Sequence, residues 1–149
     1  MHRKTYSCEM CRLQPGGRSR HDAIKSLVAH DAELIERVGW VAHAMTDRPL
    51  IHTHGLQERF DHPDLEIRLA VPPEKRYHLL APIAEAVKAG RRFQVGGEDP
   101  TLFSVPIRFI AREESGRMVL RAIFPDPAGR FPDDPGCPPE WAEQVLQDR

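Results

Sequence analysis

The sequence has no apolar run approaching the ~20 residues that cross a bilayer, so no transmembrane helix is expected. It has three cysteines, Cys8, Cys11 and Cys137. An odd number that small cannot build a disulfide framework. It has no excess of charge of either sign: 21 basic and 22 acidic side chains leave a net charge of −1. That balance gives no general attraction to nucleic acid or to an anionic membrane. Walker A, Gly-x-Gly-x-x-Gly, Gly-x-Ser-x-Gly and His-Glu-x-x-His motifs are all missing, so neither a nucleotide-dependent enzyme nor a serine hydrolase is indicated. The basic start, Met1 to Cys8, lacks the apolar stretch of a secretory signal, and the expected location is the cytoplasm.

What is present fits one globular domain. The chain has 149 residues, of which 40% are hydrophobic and 29% charged, enough for a self-sufficient core. Five basic residues against Glu9 mark residues 1–20, and six acidic residues against Arg130 and Arg149 mark residues 126–149. Six of the 14 prolines lie between Pro125 and Pro139, which excludes a regular helix or a central strand there. We therefore expect a basic Cys-x-x-Cys arm at 1–18, a folded domain at 19–125 and a Pro-rich acidic segment at 126–149 packed upon it.

Ile24, Leu27, Val28, Leu34, Ile35 and Val38 recur at helical spacing and predict a helix from Arg20 to Val38, with Ser19 as N-cap and Gly39 as the stop. Two short strands follow, Trp40–Thr46 and Leu50–His54, around a turn at Asp47-Arg48-Pro49. Residues Leu65 to Val71 alternate, with apolar odd positions inward and a polar face outward. Pro72-Pro73 opens a second helix, Glu74–Ala89, which Pro82 should kink and Gly90 should end. Strands are expected near Arg91–Val95, Val105–Arg112 and Arg117–Phe124, the last two forming a hairpin across Glu113-Glu114-Ser115-Gly116. A short helix at Pro139–Gln147 completes the set. The pattern predicts an α+β single domain, with a mainly antiparallel sheet and two principal helices packed on one face.

Several ordered motifs carry a resemblance. Gly39-Trp40 follows a helix, and His52-Thr53-His54-Gly55-Leu56 stands in the place of a Tyr-Thr-aliphatic-Gly-Leu motif. His62-Pro63-Asp64-Leu65 matches His-Pro-Glu-Leu, and Leu79-Leu80 leads to Gly90. Pro125-Asp126, Gly129 and Phe131-Pro132 match a late segment. With Cys8 and Cys11 before them, these residues resemble the bacterial family known as domain of unknown function 4262, over roughly residues 8–137. The resemblance implies the fold and a bacterial origin but no activity. The chain departs from the family pattern at His52 and His54, where an aromatic and an aliphatic residue are usual, and at Phe124 and Asp133, near tryptophan positions.

On a strand, His52 and His54 point to the same face. Two such imidazoles can share Zn²⁺, with His62, Asp61 or Asp64 as a third ligand. Three ligands and an open position would make a catalytic centre. Without metal, His52, His54 and His62 would line a polar pocket. Cys8 and Cys11 have the spacing of half a structural zinc site, which His21 and Cys137 would close. His30 is a poorer partner, because nine residues of helix turn it away from His21. Asp126, Asp133 and Asp134 offer oxygen ligands to Mg²⁺ or Ca²⁺, or simply a turn. Arg108, Arg112, Arg117 and Arg121 alternate onto one sheet face, read as an ordinary solvated face rather than a phosphate-binding one with Arg91-Arg92-Phe93.

These features suggest a small binding or accessory module for a small molecule or a protein, with a zinc-pinned arm and a histidine-lined pocket. The alternatives are a metal-dependent hydrolase with Asp61 or Asp64 as base, and a protein-interaction partner. A zinc-pinned arm predicts that Cys8→Ser lowers the melting temperature and that a chelator erases the difference between variant and parent. Equal melting curves without chelator would remove the arm as a metal site.

Overall fold

A computed structural model of the chain describes residues 30–147. It opens on a helix over 30–38 (α1) whose buried positions, Asp31 and Ile35, lie one turn apart. The stripe expected there thus carries an acid at its inner edge. The part of the expected helix before residue 30, with Ser19, lies outside the described residues. Gly39 stops α1 with φ +107, and a Cβ there would meet the Phe60 ring at 2.9 Å. Both the left-handed backbone and the contact require glycine. The chain then enters Trp40, whose indole N–H donates to Glu85 at 2.8 Å.

The elements that follow are β1 (Val41–Ala44), β2 (Leu50–His54), α2 (Leu56–Phe60), β3 (Leu65–Arg68) and α3 (Pro73–Lys88), then β4 (Glu98–Asp99), β5 (Ile107–Glu114), β6 (Arg117–Ile123), α4 (Pro139–Ala142) and a 3₁₀ turn at Glu143–Val145. The six strands form one sheet in the order β1-β2-β3-β6-β5-β4. All neighbouring strands are antiparallel except β3 and β6. The α+β single domain with a mainly antiparallel sheet is what the pattern predicted.

Alternation gives the sheet two different faces. Ile51, Leu65, Ile67, Ile107, Phe109, Leu120 and Ala122 join the core against Leu80, Ile83, Ala84 and Val87 of α3. Those four α3 residues recur every three or four positions, and burying each of the larger ones contributes roughly 1.5–3 kcal/mol. Pro73 sits at the first turn of α3, where its missing N–H costs nothing. Pro82 lies inside the helix.

The other face is polar and still buried. Register places His43 opposite His52, His52 opposite Glu66, and Glu66 opposite Arg121. One row of polar side chains therefore crosses four strands. Glu66 and Arg121 are each 1% exposed and meet at 2.7 Å. The expectation that the arginine-bearing face is an ordinary solvated one is corrected here. The segment after Pro138 covers it: Arg121 donates to the Gln144 carbonyl, and the Gln144 amide exchanges hydrogen bonds with the Phe124 backbone. The four arginines do share this face, but none forms an open patch. Arg112 donates to the Val145 carbonyl, Arg117 to Glu114, Asp64 and the Thr53 carbonyl, and Arg108 to Glu98 and Asp133.

A second correction concerns Arg91–Val95, which is not a strand. Gly96 has φ +82 and turns the chain, and the segment bonds β5 only from there, the Gly96 N–H donating to the Phe109 carbonyl at 2.8 Å before the Glu98–Asp99 ladder. Ser115 and Gly116, both with positive φ, close the β5–β6 hairpin in two residues.

Removing one member of a buried ion pair strands the other charge, so Glu66→Ala is expected to cost about 3–5 kcal/mol. Replacing Glu66 and Arg121 together by leucine and methionine should cost far less. Urea denaturation of the single and double variants measures the difference.

Candidate metal centre

The hairpin of β1 and β2 assembles the site. Its connection runs through residues 46–49, with the Met45 N–H bonded to the Leu50 carbonyl. This register sets His43 beside His52, and the period of the strand sets His54 on the same face. The three imidazoles are buried, at 1%, 0% and 8% exposure for His43, His52 and His54. Their ring centroids lie 6.0 Å (His43–His52), 5.0 Å (His43–His54) and 4.8 Å (His52–His54) apart. One nitrogen from each lies within 4.8 Å of the others. Tetrahedral Zn–N bonds of about 2.0–2.1 Å would bring such nitrogens to roughly 3.3 Å.

Two carboxylates flank the cluster. Asp31 of α1 is 2% exposed and brings one oxygen to 2.9 Å from His43 Nε2. Glu114, at the end of β5, stands 3.9 Å from His52 Nδ1. Glu114 is fixed in turn by the Arg117 guanidinium at 2.9 Å and by the Ser115 hydroxyl. A neutral imidazole has one donor and one acceptor nitrogen, so Asp31 on Nε2 of His43 leaves Nδ1 of that ring to ligate.

The expected residues divide. The structure joins His52 and His54 but holds His62 elsewhere. His62 lies 2.8 Å from the Pro63 carbonyl through Nδ1 and accepts the Phe93 N–H at 3.0 Å through Nε2. Both nitrogens are engaged, which leaves His62 a fastener between the turn after α2 and the segment before β4. Burial pushes its pKa down, aided by the Arg92 charge and opposed by its backbone bonds and Asp64. Asp64 is 5% exposed. One oxygen accepts from the Thr53 hydroxyl at 2.7 Å and the Leu56 N–H at 3.1 Å, while the other meets Arg117. Burial pushes Asp64 up, against the pull of Arg117 and these hydrogen bonds. Asp61 is exposed, at φ 55, and accepts from Gln57.

Cys8, Cys11 and His21 lie outside the described residues. Cys137 is half-buried, with its thiol 3.8 Å from the Arg130 carbonyl. Burial and the charges of Asp126, Asp134 and Asp133 push that thiol up. His30 is exposed. The acidic loop does not converge on a cation site. Burial would raise Asp126, but hydrogen bonds from Arg130 and Ala128 hold it below the usual carboxylate range. Asp133 meets Arg108, and Asp134 accepts the Phe131 N–H.

Sequence reasoning missed His43 and Asp31. A signal existed for His43: counting outward from the Asp47-Arg48-Pro49 turn pairs it with His52. None existed for Asp31, whose role comes from how a helix lies against a sheet.

A family model described as domain of unknown function (DUF4262) matches residues 34–138. Neither the curated proteins nor the solved structures contain a match to the chain.

Because folding lowers the proton affinity of His62, the unfolded chain takes up that proton first on acidification. Stability is fully present above about 6.5 and is lost as the pH falls below it toward the depressed folded value. His62→Gln should flatten this loss between pH 6.5 and 5. It should also cost about 1–3 kcal/mol at pH 7.5, since the Phe93 N–H loses its acceptor. Denaturation at both pH values gives the two numbers.

Proposed function

Because the chain belongs to the family described as a domain of unknown function (DUF4262), which assigns no reaction, we propose a function from its own side chains: a metal-binding module centred on His43, His52 and His54. The convergence of three buried imidazoles on one sheet face carries this reading. An all-nitrogen set with no thiolate suits Zn²⁺, with Ni²⁺ and Cu²⁺ as its competitors. Three protein ligands leave one tetrahedral position. In the binding reading, a donor atom of a small molecule or of a partner protein takes that position.

The hydrolytic reading would put water there and needs a free carboxylate to activate it. The carboxylates considered for that role are poorly placed. Asp61 is exposed, and both oxygens of Asp64 are engaged by Thr53, Leu56 and Arg117. Binding rather than hydrolysis is therefore the function the geometry supports best. A zinc knuckle at Cys8 and Cys11 is a separate proposal, and the same experiment separates the two.

Elemental analysis of untagged protein should find stoichiometric metal that His43→Ala and His52→Ala lose and Cys8→Ser keeps. At zinc a thousandfold above its dissociation constant, the parent should gain about 4 kcal/mol of stability that the histidine variants do not gain. Equal metal content and equal melting in the parent and both histidine variants would overturn the reading.

A further inference from the structure

The two carboxylates beside the cluster approach it differently from the imidazoles. Asp31 lies on Nε2 of His43 and Glu114 lies on the Nδ1 side of His52. Asp31 therefore sits behind its ring and leaves the opposite nitrogen, Nδ1 of His43, for a ligand. This is the arrangement in which a carboxylate orients a metal-bound imidazole, fixes its tautomer and raises its basicity.

Asp31 has a further peculiarity. It is 2% exposed and its partner 1%, and they stand 2.9 Å apart. Yet neither oxygen of Asp31 and neither ring nitrogen of His43 completes a hydrogen bond, because the approach is not in line. A buried carboxylate in that condition is unfavourable, and a nearby cation or a realigned N–H relieves it. A metal on Nδ1 supplies both: it adds positive charge to the ring and turns Nε2–H into a stronger donor.

Asp31 also belongs to a different element from the three histidines. Its helix is held at the far end by Arg59, which donates to the Ile35 and Glu36 carbonyls, and by Ile35 packed against Gly55. Toward the first of its described residues, Asp31 makes the buried contact with His43. We infer that Asp31 is a positioning carboxylate of the metal centre, and that through it metal occupancy controls how firmly α1 docks on the sheet. The inference rests on the metal-binding reading above. By linkage, a metal that tightens the Asp31–His43 contact stabilises the docked helix, and the docked helix raises metal affinity by the same factor.

The test is zinc affinity at pH 8, by competition with a chromophoric chelator, together with amide hydrogen exchange over 31–38 with and without zinc. In the parent, zinc should slow exchange across 31–38. Asp31→Asn keeps the shape and removes the charge. It should weaken zinc about 10–100-fold and abolish that protection, without lowering the melting temperature of the metal-free protein. A merely structural aspartate would instead destabilise the metal-free form. Glu114→Gln, which leaves Asp31 and His43 untouched, is the second variant, and in it saturating zinc should still protect 31–38. Parental zinc affinity in Asp31→Asn, or zinc binding in the parent with no change in exchange at 31–38, would overturn the inference and leave the metal centre standing. Failure of the parent to bind zinc any better than His52→Ala would bring down the metal-binding reading, and this inference with it.

Discussion

The Glu66–Arg121 pair is the contact on which the polar half of the molecule depends. Two charges at the middle of a sheet, each 1% exposed, are costly to take out of water, by several kcal/mol per ion. Their mutual attraction recovers that only if the remaining donors and acceptors are also met. Arg121 therefore needs backbone carbonyls above it, and the turn around Gln144 brings them. The covering of the sheet by residues beyond Pro138 is a consequence of this demand. A leucine and a methionine in the same row would have asked for an apolar cover instead.

The same row continues into the histidines. His52 is the register partner of Glu66, one strand nearer the edge, and there the neighbours change to Asp31 of α1 beside His43 and Glu114 beside His52. The core face could not have hosted the cluster, since its positions are filled by aliphatic and aromatic side chains packed on α3. Family membership assigns no reaction to the cluster, and what it does has to be argued from its own side chains.

Much of the scaffold was legible. Strand β2 and the β5–β6 hairpin follow from alternation bounded by turn residues, and α3 follows from its 3–4 spacing after Pro72-Pro73. What failed, failed for want of tertiary information. Arg91–Val95 has strand-like composition, but the segment bonds β5 only from Gly96 onward. The face that carries Arg108, Arg112, Arg117 and Arg121 reads as solvated, because alternation reports polarity and cannot report a distant segment folding over it. In the site, the shared face of His52 and His54 is a property of one strand, so the sequence displays it. His43 needs a register, and Asp31 needs a helix packed on a sheet. His62 looked like a ligand because a backbone N–H thirty-one residues away, at Phe93, leaves no trace in local text.

The single parallel ladder divides the sheet into two antiparallel units, β1-β2-β3 and β6-β5-β4. Each unit is built from neighbours in sequence and can form early, since short loops close at little entropic cost. The seam between them joins Leu65 to Leu120 and Glu66 to Arg121, across more than fifty residues of chain. It must form late, and its formation is the event that buries both charges. Until then Glu66 and Arg121 stay in water, so the ladder that joins the two halves of the sheet is also the one whose closure takes two opposite charges out of solvent together.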